Sequence, residues 1–127
     1  MQIFKTKWFA HWADKEGLSS QALCAAVTEI SQGLVDANLG GHVVKKRVAL
    51  GGRGKSGGVR TLLAFRMNDT AFFLYGFAKN QQSNITDKEL KALKLLTVKL
   101  LAYDGRQLAM AIAAQELHEV NEDDDET

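Results

Sequence analysis

The apolar positions of this chain change period twice, which divides it into a helical start, a strand-rich middle and a helical end. Gln2 to Lys7 is short and reads as an opening strand. Trp8, Phe9 and Trp12 then recur at helical spacing and predict a first helix ending near Gly17. Ser19 or Ser20 can cap a second helix whose apolar face is Leu23, Ala26, Val27, Ile30 and Leu34. From His42 the period falls to two. Val44, Val48 and Leu50 share one strand face, Lys45 and Arg47 share the other, and Lys46 falls on the apolar side. Beyond a glycine-rich loop, Val59, Thr61, Leu63, Phe65 and Met67 alternate with Arg60, Leu62, Ala64 and Arg66. Asn68-Asp69 turns the chain into the aromatic run Ala71 to Phe77, whose Phe72, Phe73, Tyr75 and Phe77 read as core. Of these, Tyr75 is the candidate to stack on a base. The connections are too short for crossover helices, so the three strands predict an antiparallel meander.

The last third returns to helical spacing. Thr86-Asp87-Lys88-Glu89 is a capping box with Ile85 and Leu90 placed as its staple, and the helix runs on through Leu93, Thr97, Leu100 and Leu101. Asp104-Gly105 interrupts it, and Asp104 with Gln107 can cap an alanine-rich successor reaching about Leu117. The fold class is therefore α+β: N-terminal helices, a meander, then one or two helices packed on it. Residues 1–120 form one domain, and the acidic segment 121–127 is expected to be a disordered tail.

Composition adds mainly exclusions. At 127 residues, with 46% hydrophobic and 24% charged positions, the chain has the profile of an ordinary soluble domain. It has no apolar run long enough for a bilayer and no signal-peptide pattern, so a cytoplasmic location and no membrane partner are expected. Cys24 is the only cysteine and sits in a helical pattern as a small core residue. His11, His42 and His118 show no metal-ligand spacing, so neither a metal nor a cofactor is expected.

Charge changes the picture more. The net charge of +1 conceals two poles. Lys45, Lys46, Arg47, Arg53, Lys55, Arg60 and Arg66 lie between Ala37 and Asn68 with no Asp or Glu among them, whereas Glu116 to Glu126 carries seven carboxylates and no Lys or Arg. A cationic patch of one sign beside loop backbone attracts phosphate, and nucleic acid is the most economical partner. The acidic tail is a candidate to cover that patch. Ala49-x-x-x-x-Gly54-Lys55-Ser56 approximates a nucleotide-binding P-loop, and Gly52-x-Gly54-x-x-Gly57 approximates a dinucleotide fingerprint. Both motifs require a helix N-terminus after the loop to hold the phosphates, and here an alternating strand follows.

In a meander, Lys45, Arg47 and Arg60 project from one sheet face, and Lys79 emerges just past the third strand. Such a face can bind an RNA backbone and can also act on it. Cleavage by the RNA's own 2′-hydroxyl needs a base, charge stabilisation at phosphorus and an acid for the departing 5′-oxygen. Like-charge repulsion is one route to a lysine that exchanges protons near neutrality. Arginine suits the clamping of non-bridging oxygens.

Three blocks in order carry a family resemblance: Lys45-Lys46-Arg47-Val48-Ala49, then Gly52-Arg53-Gly54-Lys55-Ser56-Gly57-Gly58-Val59-Arg60-Thr61-Leu62, then Phe73-Leu74-Tyr75-Gly76-Phe77-Ala78-Lys79-Asn80. The chain resembles the RelE/HigB-like toxins of bacterial type II toxin–antitoxin modules, in particular the subgroup with a Gly-Lys-Ser-Gly-Gly loop. The resemblance implies a small RelE/ParE-like domain with a curved antiparallel sheet, and a ribosome-dependent endoribonuclease that cuts mRNA. It implies that Arg60 stabilises phosphate charge, that Lys45 and Arg47 are the basic pair, with Lys45 the base, and that Lys79 protonates the leaving group or holds a phosphate. Lys46, Arg53, Lys55 and Arg66 then grip RNA backbone. The implied partners are mRNA, the ribosome and a cognate antitoxin of helix-turn-helix type. Val59 stands where an aromatic is expected. Two other functions share the scaffold: a toxin acting on a protein such as DNA gyrase, and a non-catalytic binding module.

Overall fold

The computed structural model describes the backbone of residues 1–50 and 54–125, and side chains outside 51–57 and 124–127. The chain opens with strand β1 (Gln2–Thr6) and passes directly into helix α1 (Lys7–Glu16). Thr6 caps α1 through its side chain, and Gly17 ends it in the left-handed region at φ 76°. Helix α2 (Ser20–Ser31) is capped by Ser19, the first of the two candidate serines. It stops before Leu34, which is exposed rather than part of the apolar face.

A two-residue strand β2 (Ala37–Asn38) precedes the meander of β3 (Val43–Leu50), β4 (Gly54–Arg66) and β5 (Thr70–Ala78). Helices α3 (Asp87–Leu101) and α4 (Gly105–Ala113) follow, each started by a complete capping box, from Thr86 with Glu89 and from Asp104 with Gln107. The alanine-rich helix ends earlier than its composition predicts. Gln115 takes φ 61° and the chain turns into strand β6 (Leu117–Glu119). With no glycine at that stop, the sequence carries no ordinary signal for it.

The strands form one sheet in the order β2-β3-β4-β5-β1-β6. The meander is antiparallel as expected, but the sheet as a whole is mixed, because β1 pairs in parallel with β5 and β6 runs antiparallel to β1. A short opening strand gives no local sign of its partner. Here that partner lies on the far side of two helices and a meander.

Both sheet faces are covered. On one, α1 and α2 bury Phe9, Leu23, Val27 and Ile30 against Val44, Val48, Val59, Leu63 and Phe73. On the other, Leu100 of α3 and Ala111 of α4 close over Phe4, Ala64, Phe72 and Leu74. Cys24 is buried in the first of these cores. No described helix is long and apolar enough to cross a membrane. Within the acidic segment, Glu122–Asp125 forms a 3-10 turn that packs against α2.

Gly76 of β5 fixes how closely α1 approaches the sheet. A Cβ there would come within 2.2 Å of the Trp12 ring. Gly76→Ala is expected to lower the unfolding free energy by about 1–3 kcal/mol through overpacking, read as a lower urea midpoint at constant slope. An unchanged midpoint would mean that the Trp12 ring yields at no cost.

Candidate nucleic-acid interface

The β3–β4–β5 register assembles two adjacent rows on the sheet face that α3 and α4 cover only in part. In one row Arg47 pairs with Arg60, which pairs with Phe77. In the next row Lys45 pairs with Leu62, which pairs with Tyr75. Three of the four expected catalytic cations therefore share a neighbourhood, and their arrangement follows from strand alternation. Lys79 lies just beyond Ala78, the partner of Val59, at the same end of the sheet, and is exposed.

Arg60 is half-buried, and its Nη1 is buried with no hydrogen-bond partner among the described residues. A guanidinium nitrogen left in that state costs free energy unless an acceptor arrives. Directly opposite, Arg47 is anchored. Its backbone N–H and its Nε both donate to the Asp36 carboxylate, the latter at 3.2 Å. Asp36 lies one residue before the acid-free stretch, and sequence reasoning overlooked it for that reason. The backbone places it, because its N–H donates to the Lys45 carbonyl at 3.0 Å beside β2.

Lys45 meets a neutral partner instead. Its Nζ donates to Asn84 Oδ1 at 3.3 Å, in the connection between β5 and α3. The same connection is fastened to Tyr75, whose hydroxyl reaches Gln82 Oε1 at 3.0 Å and Glu89 Oε2 at 2.8 Å. Burial, then the hydrogen bond to Glu89, pushes the Tyr75 hydroxyl up to about 12, so it remains a donor through the physiological range. The Thr86 backbone N–H and the Tyr75 hydroxyl hold the Glu89 carboxyl below its usual range. The Tyr75 ring stacks on Trp8 with centroids 4.8 Å apart, so the ring expected to stack on a base already has an aromatic neighbour.

Two of the expected RNA contacts lie elsewhere. Lys46 is 5% exposed, on the opposite sheet face, where Nζ meets Glu29 at 2.6 Å and the Leu34 carbonyl at 2.7 Å. Its odd–even position sends it under α2, and the carboxylate on that helix makes the burial tolerable. Lys46 is thus a buried, paired cation in this structure. Arg66 lies at the far end of β4 from Arg60, bonded to Asp69 and, through Nη1, to the Leu101 carbonyl at 3.2 Å. There it braces the β4–β5 turn and the last turn of α3, and its hydrogen bond holds the Asp69 carboxyl below its usual range. Arg53 and the Lys55 side chain, in the loop that carries the subgroup resemblance, lie outside the described residues. The turn Glu122–Asp125 packs on α2.

Over residues 1–120 the sequence matches the family described as the RelE toxin of the RelE / RelB toxin-antitoxin system. The chain belongs to the RelE toxin family. As a RelE-family member it is a toxin of a toxin–antitoxin system, and a cognate antitoxin partner goes with that membership. No curated protein matches the chain well enough to stand as a relative. The α+β fold with its mixed sheet is consistent with a RelE-like toxin domain.

The clamp at Glu89 has a pH signature. Because its folded pKa lies below the unfolded value, its contribution to stability is present above the ordinary carboxylate range and is lost as pH falls through the folded value. Glu89→Gln keeps a capping-box side chain but cannot titrate. Thermal melts between about pH 3 and 7 are expected to show a shallower acid-side decline in Glu89→Gln than in the wild-type chain. Parallel curves would show that Glu89 is not a source of the acid sensitivity.

Proposed function

We propose that this RelE-family toxin is an mRNA interferase, a metal-independent endoribonuclease that cuts mRNA on the translating ribosome in the cytoplasm, with the scissile phosphate on the Arg47–Arg60 row. The observation that carries the reading is the half-buried Arg60 guanidinium with an inner nitrogen lacking an acceptor among the described residues. A non-bridging phosphate oxygen is the acceptor such a group suits best. A toxin acting on a protein such as DNA gyrase brings this nitrogen no phosphate, and a non-catalytic nucleic-acid-binding module would fill it without cutting, which the cleavage test below separates.

In this reading Lys45, entering the step as the neutral amine, takes the proton from the ribose 2′-hydroxyl and becomes the ammonium, while the 2′-oxygen attacks the adjacent phosphorus. Arg60, with Arg47 held by Asp36, stabilises the negative charge that grows on the phosphorane. Lys79 gives a proton to the departing 5′-oxygen or holds the neighbouring phosphate, and Arg53 and Lys55 grip the backbone outside the reacting group. The bond from phosphorus to the 5′-oxygen breaks as the bond to the 2′-oxygen forms, leaving a 2′,3′-cyclic phosphate and a free 5′-hydroxyl. The antitoxin, of helix-turn-helix type in this reading, silences the toxin until it is lost.

The test is induced expression of the wild-type chain and of Arg60→Ala, with 5′-end mapping of cellular mRNA. Cleavage of translated messages should fall by roughly 100- to 1,000-fold in Arg60→Ala, the scale for removing one donor to a developing oxyanion. Lys46→Ala is the control. It should unfold more readily, by about 1–3 kcal/mol given the partial exposure of Glu29, while still cutting. Intact messages beside well-expressed wild-type protein would overturn the nuclease reading.

A further inference from the structure

We infer that Asn84 is a positioning residue for Lys45, and that Gln82, Glu89 and Tyr75 form the frame that holds Asn84 in place. This inference rests on the nuclease reading above and adds the device that aims its base. Three consecutive cations on β3 are each fixed differently. Lys46 has the Glu29 carboxylate, Arg47 has the Asp36 carboxylate, and Lys45 has the neutral Asn84 amide. A lysine ends a flexible four-carbon stem and keeps an N–H donor for an acceptor whether charged or neutral, so one fixed acceptor is enough to choose its direction. An amide does so without adding an opposing charge.

The identity of that acceptor follows from its surroundings. Asn84 Oδ1 also accepts from the Ile85 backbone N–H at 2.9 Å, so the atom facing Lys45 Nζ is oxygen and not the amide nitrogen. The Asn84 carbonyl in turn accepts from Gln82 Nε2 at 2.8 Å. Gln82 Nε2 donates as well to Glu89 Oε1 at 3.2 Å, and its oxygen faces the Tyr75 hydroxyl. Glu89 is itself held at Oε1 by the Thr86 backbone N–H at 2.9 Å. The connection therefore runs as a strap from Tyr75 on β5 to Lys45 on β3, over Leu62, and its anchor is the first turn of α3. A local capping box would need none of Gln82, Tyr75 or Asn84. Their joint alignment on Lys45 is what the inference explains.

The experiment has two arms on the full chain. In the first, reductive methylation with mass-spectrometric mapping compares Lys45 with Lys79 as internal reference. Asn84→Ala should speed modification of Lys45 several-fold and leave Lys79 unchanged. In the second, ribosomes programmed with a defined mRNA give kcat and KM. Asn84→Ala should lower kcat by roughly 10- to 100-fold with KM held, as expected when a reacting group is misaimed while substrate binding stays intact. Tyr75→Phe, which removes one hydroxyl of the frame and keeps the ring, should lower kcat in the same direction by less. Unchanged Lys45 labelling in Asn84→Ala overturns the inference. So does unchanged kcat in a protein that Arg60→Ala inactivates, and the nuclease reading then survives alone. A wild-type chain that cuts nothing removes both.

Discussion

The register of β3 against β4 places Arg47 opposite Arg60 and, one residue along, turns Lys46 to the other face above Thr61. A slip of one residue would exchange these faces, sending Lys45 and Arg47 under α2 and bringing Lys46 onto the cationic side. Several contacts forbid the slip. The Thr61 hydroxyl, fully buried, donates to the Lys46 carbonyl at 2.8 Å. Val44 and Val48 must also remain in the core beside Leu63 and Val59. The Lys46–Glu29 pair, made where the alternation carries a cation inward, reinforces the same register from the helix side.

Setting two arginines directly across a strand pair is unfavourable in itself. The fold offsets that cost unequally. Asp36 engages Arg47 through backbone and side chain, whereas Arg60 keeps one inner nitrogen without a partner among the described residues. The asymmetry leaves one guanidinium fixed and the other short of an acceptor. Beside them the strap from β5 to α3 holds Lys45 through an amide, so two carboxylates and one carboxamide give three neighbouring cations three different degrees of freedom.

Much of this could be read from the residues. The period-two runs marked the three meander strands, and Thr86 with Glu89 and Asp104 with Gln107 marked both C-terminal helix starts. Strand alternation also put Lys45, Arg47 and Arg60 together and singled out Lys46 as facing the apolar side. What stayed hidden depends on contacts between distant segments. The pairing of Lys46 with Glu29 could not be read, because Glu29 sits on a helix outside the local pattern of β3. Asp36 and Asn84 were missed because each acts through a carboxylate or amide oxygen placed by a turn, and turns leave no periodicity. The parallel partner of β1 and the stop at Gln115 were hidden for similar reasons, one being remote and the other an unusual residue in the left-handed region.

The placement of β1 also bears on when the sheet can close during synthesis. Strand β1 lies between β5 and β6, and β6 follows the other described strands in the chain. Until then β1 has an open edge and Val120 is missing from the core under α1 and α2. Such long-range closure is late by nature. A toxin built this way has a finished sheet only once β6 has been made, so a copy interrupted before that point carries its cations on an incomplete scaffold.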